Sequence, residues 1–185
     1  MDALVPALVA ALLAGVGDRP AWFAARASEH YEAAWTLSGF LAAQLIACAI
    51  AVGGGMLAAP LLNPNAKALL LAVALISGGV SALLRTSPAT SDERVRGPVM
   101  AFLEMAALVV GDRTTFITFA LAARGSEPVL AGVGAAIGAM ALAFAAVMLG
   151  AAGRRALPLR WLSISGGAIL LVAGIVAGLT GLRLI

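Results

Sequence analysis

Two short stretches hold most of the chemistry that the residue types allow. "VGDRPAW" runs from Val16 to Trp22 and "VGDRTTF" from Val110 to Phe116, and each sets an acid beside a base: Asp18 with Arg19, Asp112 with Arg113. Both pairs lie inside long apolar runs. A charged side chain at the centre of a membrane helix costs on the order of 2.5 to 3.5 kcal/mol on insertion scales, so such residues are kept where they are paired or functional. Carboxylate oxygen is the ligand that hard cations prefer. Glycine before each pair and Pro20 after the first weaken the helix, and Pro20 has no N–H to give the carbonyl of Val16. A broken helix beside a carboxylate is how ion sites at membrane depth are built. Asp18 and Asp112 are therefore the candidate ion and metal ligands, with backbone carbonyls near Gly17 and Gly111 completing the coordination. Arg19 and Arg113 are charge partners or interfacial anchors. A purely structural reading stands beside this one, in which the charged pairs do no more than hold two parts of the protein together.

Other polar residues divide in the same way. Glu104 precedes Asp112 by about 12 Å along a continuous helix and some 80° around it. It is either a proton carrier or a neutral acid hydrogen-bonded to another helix. Gln44, Thr115, Thr118, Ser77 and Ser81 suit a cavity lining or hydrogen bonding between helices. His30, in the loop "SEHYE" with Glu29 and Glu32, either gathers cations or is simply solvated. There is no zinc motif, nucleophile elbow or phosphate loop, and one histidine in all, so soluble-enzyme chemistry has no support. The chain reads as a non-enzyme with no resident cofactor and no nucleic-acid partner.

Composition sets the solvent in which these residues work. Of 185 residues, 62% are hydrophobic and 11% charged, against about 25% charged in soluble domains. The chain is an integral membrane protein whose main partner is the bilayer. A span takes about 20 apolar residues, and six candidates follow, at 3–25, 36–61, 68–84, 99–123, 129–150 and 162–184. Breakers connect them: "NPNAK" at 63–67, the polar stretch 85–98, "RGSEP" at 124–128 and "GRRALPLR" at 153–160. Cys48 has no second cysteine to pair with. Glycine and alanine dominate elsewhere, as in "VGGGMLAA" from Val52 to Ala59, and let helices approach closely.

The longest connection divides the chain into a first three-helix half, 1–86, a linker, 87–98, and a second three-helix half, 99–185. A shift of 94 residues lays Gly17, Asp18 and Arg19 on Gly111, Asp112 and Arg113, and a shift of 93 lays "LSGFLAA" on "LAGVGAA". Three spans per half force the second copy to enter from the opposite side. The expected fold is thus all-α and polytopic, six transmembrane helices as two inverted repeats, an architecture characteristic of secondary transporters and channels. Arg26, Arg85, Arg94, Arg96, Arg154, Arg155 and Arg160 fall on one side, against Lys67, Arg124 and Arg183 on the other. The richer side is cytoplasmic by the positive-inside rule, which puts both termini outside. "ARAS" at 25–28 has the small residues of a signal cleavage site, but the amino end lacks positive charge and the same motif recurs in the second half.

These residues resemble the Gdt-type, or transmembrane protein 165-like, family. The resemblance rests on both Gly-Asp-Arg elements, "LAAR" at 121–124, Gly39 and Gly132, and "ISGGAILLVAG" at 164–174. It implies a manganese or calcium transporter exchanging its cation for protons, built from two inverted three-span repeats that each bear Glu-x-Gly-Asp-(Lys/Arg)-(Thr/Ser). Thr114 keeps the last motif position and joins the implied ion site, whereas the first half has Pro20 there. Where the family has glutamate, this chain has Gly15 and Val109. Asp18 and Asp112 are then matched by Arg19 and Arg113, so the motif residues sum to zero charge, which disfavours a divalent ion. The leading expectation is a secondary cation transporter in a bacterial-type inner membrane. The alternatives are a homologue that has lost transport and serves as an assembly subunit, or a transporter of a monovalent cation or an anion. Homo-oligomerisation is left open.

The arginine distribution predicts that reporters active on one side of the membrane will place residue 185 outside and residues 87–91 in the cytoplasm. A cytoplasmic carboxyl terminus would overturn the span count.

Overall fold

A computed structural model describes residues 3–84, 97–156 and 158–182. The expected linker arginines Arg85, Arg94 and Arg96, as well as Arg183 and the carboxyl end, lie outside the described residues. All regular structure among the described residues is helical: α1 (Leu4–Gly15), α2 (Arg19–Ala27), α3 (Ala33–Ala58), a 3-10 turn (Ala59–Leu61), α4 (Pro64–Leu84), α5 (Gly97–Val110), α6 (Arg113–Arg124), α7 (Pro128–Ala156) and α8 (Leu159–Gly181). A helix satisfies its own backbone, as any segment in hydrocarbon must. Four helices are long and apolar enough to cross a membrane, and the count is six when α1 with α2 and α5 with α6 are each taken as one bent span.

The stretches expected as spans one and four are each two helices, bent by 70° and 50°. In the first, Gly17 takes φ 74°, a conformation that glycine adopts freely. Asp18 is extended and caps α2, with Pro20 in that helix's first turn, where its missing N–H costs nothing. In the second, Asp112 is extended at φ −80° and ψ 150° and caps α6 without any proline. Because both spans break at the same motif position, the capping aspartate rather than Pro20 is the common cause.

Two expected loops also belong partly to helices. Asn63 accepts a hydrogen bond from the Ala66 N–H through Oδ1 at 2.7 Å, and Pro64 follows as the first helical residue. "NPNAK" is therefore a helix start with a side-chain cap and an N1 proline. At the other end, α7 passes a non-helical break at Gly150 (φ 55°, ψ −155°) and runs on to Ala156, so the "GRRALPLR" stretch is largely helical.

The halves interlock. α1 and α2 pack on α7 of the other half, and α5 and α6 pack on α3, while α4 and α8 pair extensively with each other. Directions follow from the closest approaches. Gly134 faces Leu4 and Leu8 while Gly138 faces Leu8, Ala11 and Leu12, so α1 and α7 run parallel. Gly79 faces Gly167 and Leu171, and Gly174 faces Ile76 and Ala72, so α4 and α8 run antiparallel. Large apolar side chains such as Leu45, Ile50, Leu57, Ile137, Met148 and Val172 are exposed, as lipid-facing residues would be. Inside, Phe23, Phe40, Met105, Val109 and Val147 form a buried cluster joining α2, α3, α5 and α7 beside the two breaks.

The α1–α7 seam predicts a contrast between glycines. A Cβ at Gly134 would meet the Leu8 backbone nitrogen at 3.1 Å and, closer still, the Leu4 carbonyl oxygen, whereas a Cβ at Gly53 meets nothing within 4 Å. Backbone cannot move aside cheaply, so Gly134→Ala is expected to cost about 1 to 3 kcal/mol and Gly53→Ala nothing. Reversible unfolding in mixed detergent micelles measures both. Equal stability of the two variants would contradict this packing.

Candidate ion site at the two helix breaks

The helix breaks decide where the carboxylates go. Asp18 Oδ1 accepts from the Arg19 N–H at 2.8 Å, and Asp112 Oδ2 accepts from the Thr114 N–H at 3.2 Å. Each acid thus satisfies a donor left open at a helix start and sits at the partly positive end of a short helix, which steadies negative charge. The two caps meet: the Asp112 side chain is within hydrogen-bonding reach of Asp18. Both line one small cavity, with about 20 Å³ of room for water-sized centres, together with Gly15, Gln44, Val109, Thr114 and Leu142. That is space for one water or one bare ion, not for an ion with its hydration shell.

The arginines do not behave as the sequence suggests. Each was expected to offset the aspartate before it in the chain. Instead Arg113 reaches across to the other half, its Nε 3.1 Å from Asp18 Oδ2, and both side chains are buried, 8% and 3% exposed. Its Nη1 also donates to Ser81 Oγ of α4 at 3.1 Å. Arg19 is exposed and is not part of the cavity wall. The zero charge sum over both motifs therefore does not describe this cavity, whose wall carries the carboxyl groups of Asp18 and Asp112 with the guanidinium of Arg113 beside Asp18.

The remaining candidates sort themselves by position. Asp18, Asp112 and Thr114 line the cavity, while Gly17, Gly111 and Glu104 do not. In the first half Gly15 rather than Gly17 is the glycine in the cavity wall. Glu104 lies across the 50° bend from Asp112, and its Oε2 is buried with no hydrogen-bond partner among the described residues. Gln44 lines the cavity and donates through Nε2 to Cys48 Sγ at 3.4 Å. Thr115 donates to the Val109 carbonyl at 2.8 Å, across the break, while Thr118 donates to the Thr114 carbonyl at 2.7 Å within α6. Ser77 bonds the Ala74 carbonyl. His30 is exposed, with Nδ1 3.3 Å from the Arg26 carbonyl oxygen, in keeping with a solvated loop. Among the described residues no group of three or more His, Cys, Asp or Glu side chains is placed to hold a metal.

The second half of this arrangement has known relatives. Residues 98–183, which span α5 to α8, match the family model described as divalent cation/proton antiporter GDT1. This part of the chain is similar to the Gdt-type family. Its members are transporters rather than enzymes. Comparison with curated proteins and with solved structures gives no match. Given that similarity, the positions of Gly15 and Val109 matter most: both stand where the resemblance implies glutamates, and both lie in the wall of the cavity that holds Asp18 and Asp112. Sequence reasoning placed neither among the site residues, although the motif spacing marked both.

The buried pair predicts unequal costs for similar substitutions. Asp18→Asn leaves Arg113 without its carboxylate and is expected to destabilise the protein by about 3 to 5 kcal/mol, whereas Arg19→Gln, on an exposed side chain, should change little. Asp18→Asn combined with Arg113→Gln should recover much of the loss, because no charge is then stranded. Unfolding in mixed micelles reads all three, and strictly additive costs would disprove the pairing.

Proposed function

We propose that the chain exchanges a divalent cation for protons, and that the cavity at the two helix breaks is its ion site. The observation that carries this reading is the meeting of two capping carboxylates, Asp18 from the first half and Asp112 from the second, in one cavity sized for a single dehydrated ion. Two carboxyl groups at that separation repel unless a proton or a cation lies between them, which makes the two cargoes alternatives at one place. The oxygens of Asp18, Asp112, Gln44 and Thr114 suit a hard cation of the manganese or calcium kind. Gln44 thus joins the ligand set on its position in the wall, and Arg113 serves as charge partner. Glu104, buried but away from the cavity, is the reserve candidate for moving protons.

The reciprocal packing of each broken span on the other half's long helix supports an inverted-repeat relation, with the cell membrane crossed six times and both termini outside. In such a molecule the site lies where the repeats meet, and rocking one against the other exposes it to each side in turn. The close pairing of Arg113 with Asp18 favours one second reading, an assembly subunit in which the ion pair is permanent.

Flux of manganese in proteoliposomes containing only this chain separates the two. Metal uptake driven by a proton gradient is expected, with Asp112→Asn abolishing it. Gly15→Glu with Val109→Glu should raise it about tenfold, since each added carboxylate supplies ligand charge for a divalent ion. A Cβ at Gly15 would lie 2.5 Å from Leu142 Cδ1, so Leu142→Ala should accompany the pair to make room. Strong flux indifferent to all these changes would move the ion path elsewhere. No flux in any folded variant would favour the assembly subunit.

A further inference from the structure

Arg113 stands against a carboxylate that cargo needs. Its guanidinium lies 3.1 Å from Asp18 Oδ2, and Asp112 is within hydrogen-bonding reach of the same Asp18. The cavity beside them has about 20 Å³ of room for water-sized centres. A guanidinium held against Asp18 and a metal ion drawn to the same carboxylate repel each other at low dielectric. Neither motif arginine lines the cavity, but Arg113 is buried against Asp18 whereas Arg19 is exposed. The two motif arginines are therefore inequivalent, although their sequence contexts match.

We propose that Arg113 is a tethered counter-cation: it neutralises Asp18 when cargo is absent, and an arriving cation must displace it. The proposal rests on the transport reading for the identity of the cargo. Ser81 Oγ, which accepts from Arg113 Nη1 at 3.1 Å, supplies the anchor on α4 that keeps the guanidinium close once it lets go of the carboxylate. The device has two consequences. The empty carrier never holds Asp18 as a bare charge in hydrocarbon, so it returns without cargo at lower cost. A monovalent ion gains no charge by replacing a guanidinium, whereas a divalent ion does, so Arg113 selects for charge.

The test uses the purified full chain, with manganese and sodium as probes and binding read by manganese electron paramagnetic resonance. If the pair is closed more than about nine-tenths of the time, Arg113→Gln should bind manganese about tenfold more tightly or better, and sodium should then compete where it did not before. Millimolar guanidinium ion should weaken manganese binding in Arg113→Gln and leave the parent unchanged, a rescue that no packing role produces. Arg113→Lys keeps the charge but loses the planar two-point grip, so binding roughly threefold tighter is expected, and this variant decides the matter should Arg113→Gln fail to fold. Arg19→Gln should bind as the parent does. Unchanged or weaker manganese affinity in the folded Arg113 variants, beside a parent that binds and transports, overturns the counter-cation and leaves the transport reading standing. A parent that neither binds nor transports, beside an Arg113→Gln variant that binds, sustains the counter-cation and defeats the transport reading. Absence of binding in every variant overturns both.

Discussion

Charge inside hydrocarbon must be neutralised where it sits, and the Asp18–Arg113 pair is where this protein meets that demand. Its position organises much of the molecule. Asp18 belongs to the break in the first span, Arg113 starts the helix after the break in the second, and Ser81 of α4 holds the guanidinium from a third direction. Replacing either charge alone leaves the other buried and unpaired, so the two positions are bound to change together.

The aspartates also explain how a span can be broken at membrane depth without stranding backbone polar groups. A capping carboxylate has two oxygens and needs one for the helix start. Asp18 uses Oδ1 on the Arg19 N–H and turns Oδ2 to Arg113, so one residue serves both the helix start and the contact between the halves. The second break closes its carbonyls differently, with Thr115 bonding the Val109 oxygen. Ala21 holds the corresponding place in the first break and has no hydroxyl to do the same.

Much of this was legible in the sequence. Apolar runs of the right length located the four long helices and the two bent pairs, and the recurrence of Gly-Asp-Arg located both breaks. Charge pairing was not legible, because neighbours in sequence are not neighbours at a helix start. Asp18 is extended while Arg19 is already helical, and successive helical residues point about 100° apart. Which arginine turns inward depends on the wall opposite, and that wall comes from other helices. Asn63 and Pro64 were misread for a related reason, since polar residues beside an apolar run mark a loop and a capped helix start equally well. The cavity wall at Gly15 and Val109 carries no polar atom in its side chains to announce it.

The crossing of the ion pair from one half to the other also bears on how the protein is made. A chain that emerges from the ribosome amino end first delivers Asp18 to the membrane long before Arg113 exists. During that interval the first broken span holds an acid with no counter-charge from the second half, and its entry into lipid is correspondingly unfavourable. The span is completed when α6 arrives. The ion pair can therefore close only after both halves have been made.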